Sequence, residues 1–392
     1  MAEALRLFEA RSLDLAVADA QVRGARADRR AAGAVANPLI SGALSHAPGY
    51  DPGCAGCAAT GFSAGVTDPS AVSDLLSGKR GLRVDAADAA LAAAHGSRDD
   101  VRRTLRQQLR QAMLDGALAE AQAGVARDLA GSAEHTRALN ETRYRAGAIS
   151  EAELSRAEVA ALGAQQAVDL ALQAVLSARL QIAFLLGSAE PDFTVDAGLL
   201  AEDLPAASAA SLGEALGARP DVAAATREVE RAEAQAALAR RQRIPDVSLS
   251  VQYQQQGSGP NAIQPPTWTF GAQLPLPIFD QQQGPIARAD ADVAGRRAAL
   301  AKVRAQVALD VHAAEAALRT ARALVERMQG RLMERATRAH DLSQVQYEKG
   351  AASLLELLDA QRTWAQTRNE YLKDLHDFWL ASYQLDAALG RT

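Results

Sequence analysis

The chain has 392 residues, of which 48% are apolar but only 4% aromatic, and its formal net charge is −5. The apolar surplus is Ala, the strongest helix former and a small one, which favours long, closely approaching helices over a bulky globular core. The mildly acidic balance offers no basic footprint for nucleic acid, and no window reaches the roughly 18 uninterrupted apolar residues of a membrane-spanning helix.

Residues 3–35 read as an amphipathic helix. Acidic residues from Glu3 onward do not fit a secretory signal, so the chain is either cytoplasmic or numbered after a removed leader. A strand pair follows at about 38–68, "LISGALSHA" and "GFSAGVT". It is Gly- and Ala-rich, so its pairing is weakly specified. Its loop carries Cys54 and Cys57 as a CxxC, with only His46 and Asp51 nearby as further ligands. Without a βαβ context or a second ligand pair, this is expected to be a structural or incidental loop pair.

A helix over about 78–143 comes next, with Leu114, Leu118, Ala121 and Val125 as its best apolar fragment. It would span about 100 Å at 1.5 Å per residue. The stretch "YRAGAISEAELSRAE" from Tyr144 then reverses the chain into a return helix, 151–187. Residues 188–219 are rich in Pro, Ala and Ser with short apolar clusters, and predict a small linker of irregular structure.

The same order then recurs. Pro220 opens a helix over 220–243. A hairpin over about 246–277 alternates cleanly: Val247, Leu249, Val251 and Tyr253 share one face, as do Trp268, Phe270, Ala272 and Leu274, against Ser, Thr and Gln on the other. A helix over about 284–346 carries a seam through Leu300, Val303 and Val307, then Val311, Ala314, Leu318, Ala321, Val325, Met328 and Leu332, with a stutter near Val307. The reversal "YEKGAASLLELLDAQ" and a return helix over 353–389 close the chain. Tyr144 and Tyr347, Ser150 and Ser353, and Gly187 and Gly390 all lie 203 residues apart; Pro38 and Pro245 lie 207 apart, Gly78 and Gly284 206. The expected organisation is therefore two repeats, 1–187 and 220–392, joined by the 188–219 segment.

At both reversals Gly permits the turn and Ser caps the next helix. Glu153 and Glu356, three residues past Ser150 and Ser353, complete capping boxes. Glu356 and Asp359 lie on one helix face. The outward Trp, Phe, Val and Leu of the strands would meet lipid if several copies closed the sheet into a barrel.

Duplicated helix–hairpin–long helix–turn–helix units, with "RPDVAAATREVERAEAQAALARRQRIPDVSLSVQY", "LPLPIFDQQQGPIARADADV" and "YEKGAASLLELLDAQRTW", resemble the TolC-type outer-membrane efflux factors over about residues 5–390. "NPLISGALS" is similar to the heavy-metal efflux branch. The resemblance implies a mainly α fold with a small β part. Duplicated long α-hairpins would form a periplasmic α-barrel, and four strands per chain would complete a 12-stranded outer-membrane β-barrel in a homotrimer. It implies a passive exit duct for small molecules or metal ions, in the outer membrane of a Gram-negative bacterium and extending into the periplasm. The expected partners are a periplasmic adaptor, an inner-membrane pump and outer-membrane lipid, with no cofactor, no resident metal and no catalytic residue.

Carried over by position, Gly147, Ser150, Gly350 and Ser353 would form tip turns that meet the adaptor. Glu356 and Asp359 would line the periplasmic gate, held or released by Arg145 and Arg156, with Arg362 more distant. Arg156 stands where the second repeat has Asp359, so the second acidic ring belongs to one repeat only. The lipid-facing residues would be Val247, Leu249, Val251, Tyr253, Trp268, Phe270 and Leu274. The alternative is a soluble coiled-coil scaffold or adaptor. An enzyme is disfavoured: the six His lack metal-binding spacing and no phosphate loop or nucleophile motif is present.

Overall fold

The computed structural model describes all residues except 49–52, 54–57, 202, 206–210, 258–264 and 392. Cys54 and Cys57 lie outside the described residues. In chain order the elements are α1 (Ala2–Arg11), α2 (Leu13–Ala32), β1 (Leu39–His46), β2 (Thr60–Asp68), α3 (Ala71–Ser77), α4 (Lys79–Arg145) and α5 (Glu151–Leu185). Then come α6 (Leu212–Ala218), α7 (Pro220–Arg241), β3 (Ser248–Gln256), β4 (Thr267–Gln273), α8 (Gln283–Arg327), α9 (Met333–Glu348) and α10 (Leu354–Ala388).

The described residues form two compact units that cut across the sequence repeats. One comprises 1–18, 98–220 and 304–392; the other comprises 19–97 and 221–303.

In the first unit the helix ends are set by one device used four times. Gly147, Gly187, Gly350 and Gly390 all take left-handed backbone, φ between 68° and 75°. At each, the following N–H bonds the carbonyl five residues back (Ala148 to Arg143, Ser188 to Ala183, Ala351 to Gln346, Arg391 to Asp386, all at 2.8–2.9 Å). This is the Schellman arrangement, and it satisfies carbonyls that the helix itself leaves open. The seam of α8 is buried from Val307 through Met328. A π-helical turn at Met328–Leu332, which the seam spacing did not announce, lies between α8 and α9. The wider turn rotates the following face, so Leu332 leaves the seam and is 48% exposed.

The first helix is not continuous as expected over 3–35. It breaks at Ser12, whose backbone is extended, and Ser12 Oγ accepts from Leu15 N–H at 3.4 Å. A Cβ on Gly187 would stand 2.6 Å from the Arg11 carbonyl, so the end of α5 packs directly on this break. The second repeat has the same joint. Arg219 is extended between α6 and α7, it pairs with Asp310 at 2.7 Å, and Gly390 abuts Ala218. The described part of the 188–219 linker holds regular structure that was not expected, a 3₁₀ turn at Ala197–Leu199 and α6. Val195 and Leu200 from it are buried.

The second unit holds a four-stranded antiparallel sheet in the order β1-β2-β3-β4. The first hairpin pairs fully, Leu39 with Thr67 through His46 with Thr60, despite its small residues. Register places Ile40 and Leu44 on the same face as Phe62, Ala64 and Val66, then Val251 and Tyr253, then Trp268 and Phe270. The opposite face carries Ser41, Ser45, Ser63, Ser250, Gln252, Gln254 and Thr269, with Gly61, Gly65 and Gly271 leaving room for neighbouring Ser hydroxyls. Val247 and Leu274 lie just outside β3 and β4. Below the sheet, Lys79 donates to the Ile244 carbonyl at 2.6 Å and to Asp246 at 2.8 Å. Gly78 takes left-handed backbone before α4, and its counterpart is Gln282 (φ 64°), not Gly284.

Gly96 of α4 lets that helix touch α7: a Cβ there would lie 3.0 Å from the Ala224 backbone. Gly96→Val is therefore expected to destabilise the protein by about 1–3 kcal/mol by overpacking. At Gly124, where nothing lies within 4 Å, substitution by Ala is expected to stabilise by about 0.5–1 kcal/mol. Urea midpoints followed by circular dichroism on purified variants measure both.

Candidate gate at the helix reversals

Both reversals lie in the first unit and are built alike. Ser150 and Ser353 are extended N-caps whose hydroxyls accept from Glu153 N–H and Glu356 N–H, each at 3.3 Å. Glu153 and Glu356 return the bond to the Ser150 and Ser353 N–H groups, at 3.2 and 2.8 Å. Each carboxylate thus sits at a helix N-terminus, where the dipole and the free N–H groups favour negative charge. Hydrogen bonds from the Ser353 backbone and hydroxyl hold the Glu356 carboxyl below its ordinary range, so it is ionised near neutral pH while it caps.

The two turns differ in what lies beneath them. Tyr347 is buried and Tyr144 exposed. The Tyr347 hydroxyl donates to Asn140 Oδ1 at 2.5 Å, and Asn140 Nδ2 donates to the Thr136 carbonyl at 3.1 Å. Arg143 donates to the Tyr347 and Glu348 carbonyls, both at 3.0 Å, with its guanidinium 4.9 Å from the Tyr347 ring centre. It serves the open C-terminal carbonyls of α9 from the end of α4. Ala157, Tyr347, Leu354 and Leu357 pack with Leu139, Ala352 and Leu358 into one apolar cluster joining both turns. One turn further, buried Gln361 donates to Ser132 at 2.8 Å.

Among the expected gate residues, Glu356, Asp359, Arg156 and Arg362 are exposed. Arg145 pairs with Glu141 one turn back on its own helix, so within the protomer it is not the partner of Glu356 or Asp359. Asn140 and Arg143 escaped the sequence reading. Arg143 had a faint signal as a cation in the last turn of α4, but Asn140 resembled any polar helix residue. Of the expected lipid-facing residues, Leu249, Val251, Tyr253, Trp268 and Phe270 lie within strands on one face. Tyr253 packs edge-on against Trp268 with ring centres 5.3 Å apart.

A second polar cluster joins α4 to α10. His376, nearly buried, has Nε2 at 2.8 Å from Asp115 and Nδ1 at 2.9 Å from Asp377. Two carboxylates facing both ring nitrogens require two N–H donors, hence an imidazolium. Burial disfavours that charge, but hydrogen bonds to Asp115 and Asp377 outweigh it and raise the pKa above the ordinary 6.5.

The Tyr347–Asn140 bond is expected to be worth more than its length of chain suggests. Tyr347→Phe strands a fully buried acceptor, at a cost of about 1–3 kcal/mol. Adding Asn140→Leu should recover part of that loss, and a double-mutant cycle by thermal melts, with limited proteolysis at the turns, measures the coupling. For His376 the sign follows from its raised folded pKa. Its stabilisation is complete below the unfolded value near 6.5 and lost as pH rises through the folded pKa. Melting temperature should fall across that window in the wild type and stay flatter in His376→Gln.

Three kinds of likeness bear on these features. The family described as outer membrane efflux protein matches residues 4–188 and 211–391. The cobalt-zinc-cadmium resistance protein CzcC of Cupriavidus metallidurans is 28% identical over 319 residues, 81% of this chain and 75% of that protein. The pyoverdine export outer membrane protein OpmQ of Pseudomonas aeruginosa is 29% identical over 374 residues, 90% of this chain and 77% of its own length. In fold, the chain superposes on the outer-membrane channel OprN with a TM-score of 0.82 at 22% identity, covering 100% of this chain and 89% of that one. On CusC the TM-score is 0.81 at 21% identity, covering 99% and 91%.

Proposed function

The chain belongs to the outer membrane efflux protein family, and we propose that it is a passive duct for divalent metal cations with a cation-selective periplasmic entrance and no catalytic step of its own. As a family member it is the outer-membrane channel of a tripartite efflux system. It is a homotrimer in the outer membrane, extends into the periplasm, and works with a periplasmic adaptor and an inner-membrane pump. Its four strands contribute to a trimeric barrel of 12 strands, and its helices to an α-barrel. The soluble scaffold alternative gains no support.

The entrance reading rests on one observation: Glu356 is pinned and ionised at the α10 N-terminus, with Asp359 exposed one turn later. Threefold symmetry multiplies this pair into six carboxylates around one axis. A ring of carboxylates raises the local concentration of cations and repels anions. The turns at Gly147–Ser150 and Gly350–Ser353 are the surfaces we assign to the adaptor, since loops on rigid scaffolds carry contacts of this kind. The metal cargo follows from the CzcC likeness together with the acidic entrance. The OpmQ likeness favours a second reading, a small organic cargo, for which an acidic ring offers no attraction.

The trimer in planar bilayers under a salt gradient tests the entrance. Glu356→Gln with Asp359→Asn is expected to bring the reversal potential markedly toward the non-selective value, while Arg156→Gln should leave the preference for cations in place or increase it. A double variant with unchanged selectivity returns both residues to capping and surface roles. Deleting the gene should sensitise cells to zinc, cobalt or cadmium salts; sensitivity to organic compounds alone would support the second reading.

A further inference from the structure

Where the sheet gives way to helix, the second unit carries a band of side chains that the duct function does not use. After β2, α3 exposes Val72, Leu75 and Leu76. After β4, Leu276, Ile278 and Phe279 are exposed, Phe279 at 93%. Both segments fill the same place, between a strand and the start of a long helix. Just ahead of the strands, α2 and α7 end in arginine-rich runs, "RADRR" and "RRQR". Arg29 is held by Asp88 and Arg240 by Asp290. Among the described residues no hydrogen bond or ion pair engages the guanidinium of Arg30, Arg241 or Arg243, all exposed. The two chemistries meet: Arg243 and Ile244 line a cavity of about 540 Å³ with Pro275, Leu276, Pro277 and Asp280.

We infer that this band binds anionic phospholipid of the leaflet nearer the helices. Acyl chains would lie on Leu276, Ile278 and Phe279 and the phosphate headgroup on Arg241 and Arg243, with Leu75, Leu76 and Arg30 repeating the arrangement. Two observations select lipid as the occupant. The apolar segments continue directly from the strand face of Trp268 and Phe270, which meets hydrocarbon in an outer-membrane barrel. Guanidinium groups beside that apolar edge match the boundary where hydrocarbon ends and phosphate begins, and they favour a net negative headgroup over a zwitterion. The inference rests on the sheet spanning the membrane and is independent of the acidic entrance.

Native mass spectrometry of the intact trimer, purified in mild detergent and mixed with equal phosphatidylglycerol and phosphatidylcholine of matched chains, tests it. The wild type should retain phosphatidylglycerol over phosphatidylcholine by at least about fivefold. R30Q/R241Q/R243Q should bring that ratio near one with the trimer mass kept, and R30K/R241K/R243K should preserve it. L276N/F279N should reduce adducts of both lipids together. Equal retention of the two lipids by the wild type, or an unchanged preference in R30Q/R241Q/R243Q, overturns the inference. So does dissociation to monomers in L276N/F279N without loss of lipid, which would make the band a contact between copies of this chain.

Discussion

Unpaired backbone at the edges of one small sheet constrains this chain more than any other feature. β1 and β4 are the outer strands, and among the described residues each pairs on one side only. One face carries Val251, Tyr253, Trp268, Phe270 and their neighbours, so hydrocarbon suits it. Hydrocarbon offers nothing to an open N–H or C=O, and each would cost several kcal/mol there. Four strands are too few to close a barrel by themselves. The same sheet that selects a membrane therefore demands further copies of the chain, and the homotrimer supplies the missing edges.

Helix surfaces follow the same logic. α5 leaves Val159, Leu162, Leu170, Leu176, Leu180 and Phe184 exposed on one broad face. By length and composition it is apolar enough to cross a membrane, and most of that apolar stretch is uncovered in the protomer. An exposed face of this size on a single soluble chain would be a liability. In a homotrimer, copies of the chain are available to cover it. The small residues that dominate composition serve closeness instead of volume: Gly96 against Ala224, Gly187 against Arg11 and Gly390 against Ala218 are all backbone approaches that a larger side chain would block.

Much of this was legible in the sequence, for identifiable reasons. Period-two alternation gave β3 and β4, Gly followed by Ser three residues later gave both reversals, and matched spacing gave the duplication. The first hairpin was harder because Gly42, Gly61, Ala64 and Gly65 erase alternation, yet Gly61 and Gly65 admit the Ser45 and Ser41 hydroxyls packed against them. The break at Arg219 was announced by Pro220, which disfavours helical backbone in the residue before it, whereas the break at Ser12 has no such mark and sits where the end of α5 packs on the chain. The π turn at Met328–Leu332 was missed for a similar reason: heptad steps continue through it, and only burial shows that the face has rotated. Asn140 gained its meaning from Tyr347, 207 residues away, and no local pattern encodes that.

The twin reversals show how duplication leaves room for asymmetry. Both Ser–Glu caps are present and each stabilises its own helix start, where losing an N-cap costs about 1 kcal/mol. The cap engages Glu153 and Glu356 alone and sets nothing in the next turn, where the repeats differ as Arg156 and Asp359. The buried side diverges in parallel: Tyr347 is locked to Asn140 and Arg143, whereas Tyr144 is exposed. The bonds of Asn140 and Arg143 to Tyr347 and Glu348 tie the end of α4 to the end of α9, so both turns share one anchor and only the second carries the doubled acid. A selective ring needs carboxylates held at fixed radius, since charge on a mobile turn is averaged out by water and salt. The shared anchor holds both turns, and the Asp359-for-Arg156 difference is what places the proposed entrance on the second repeat, with the first supplying the helix beside it.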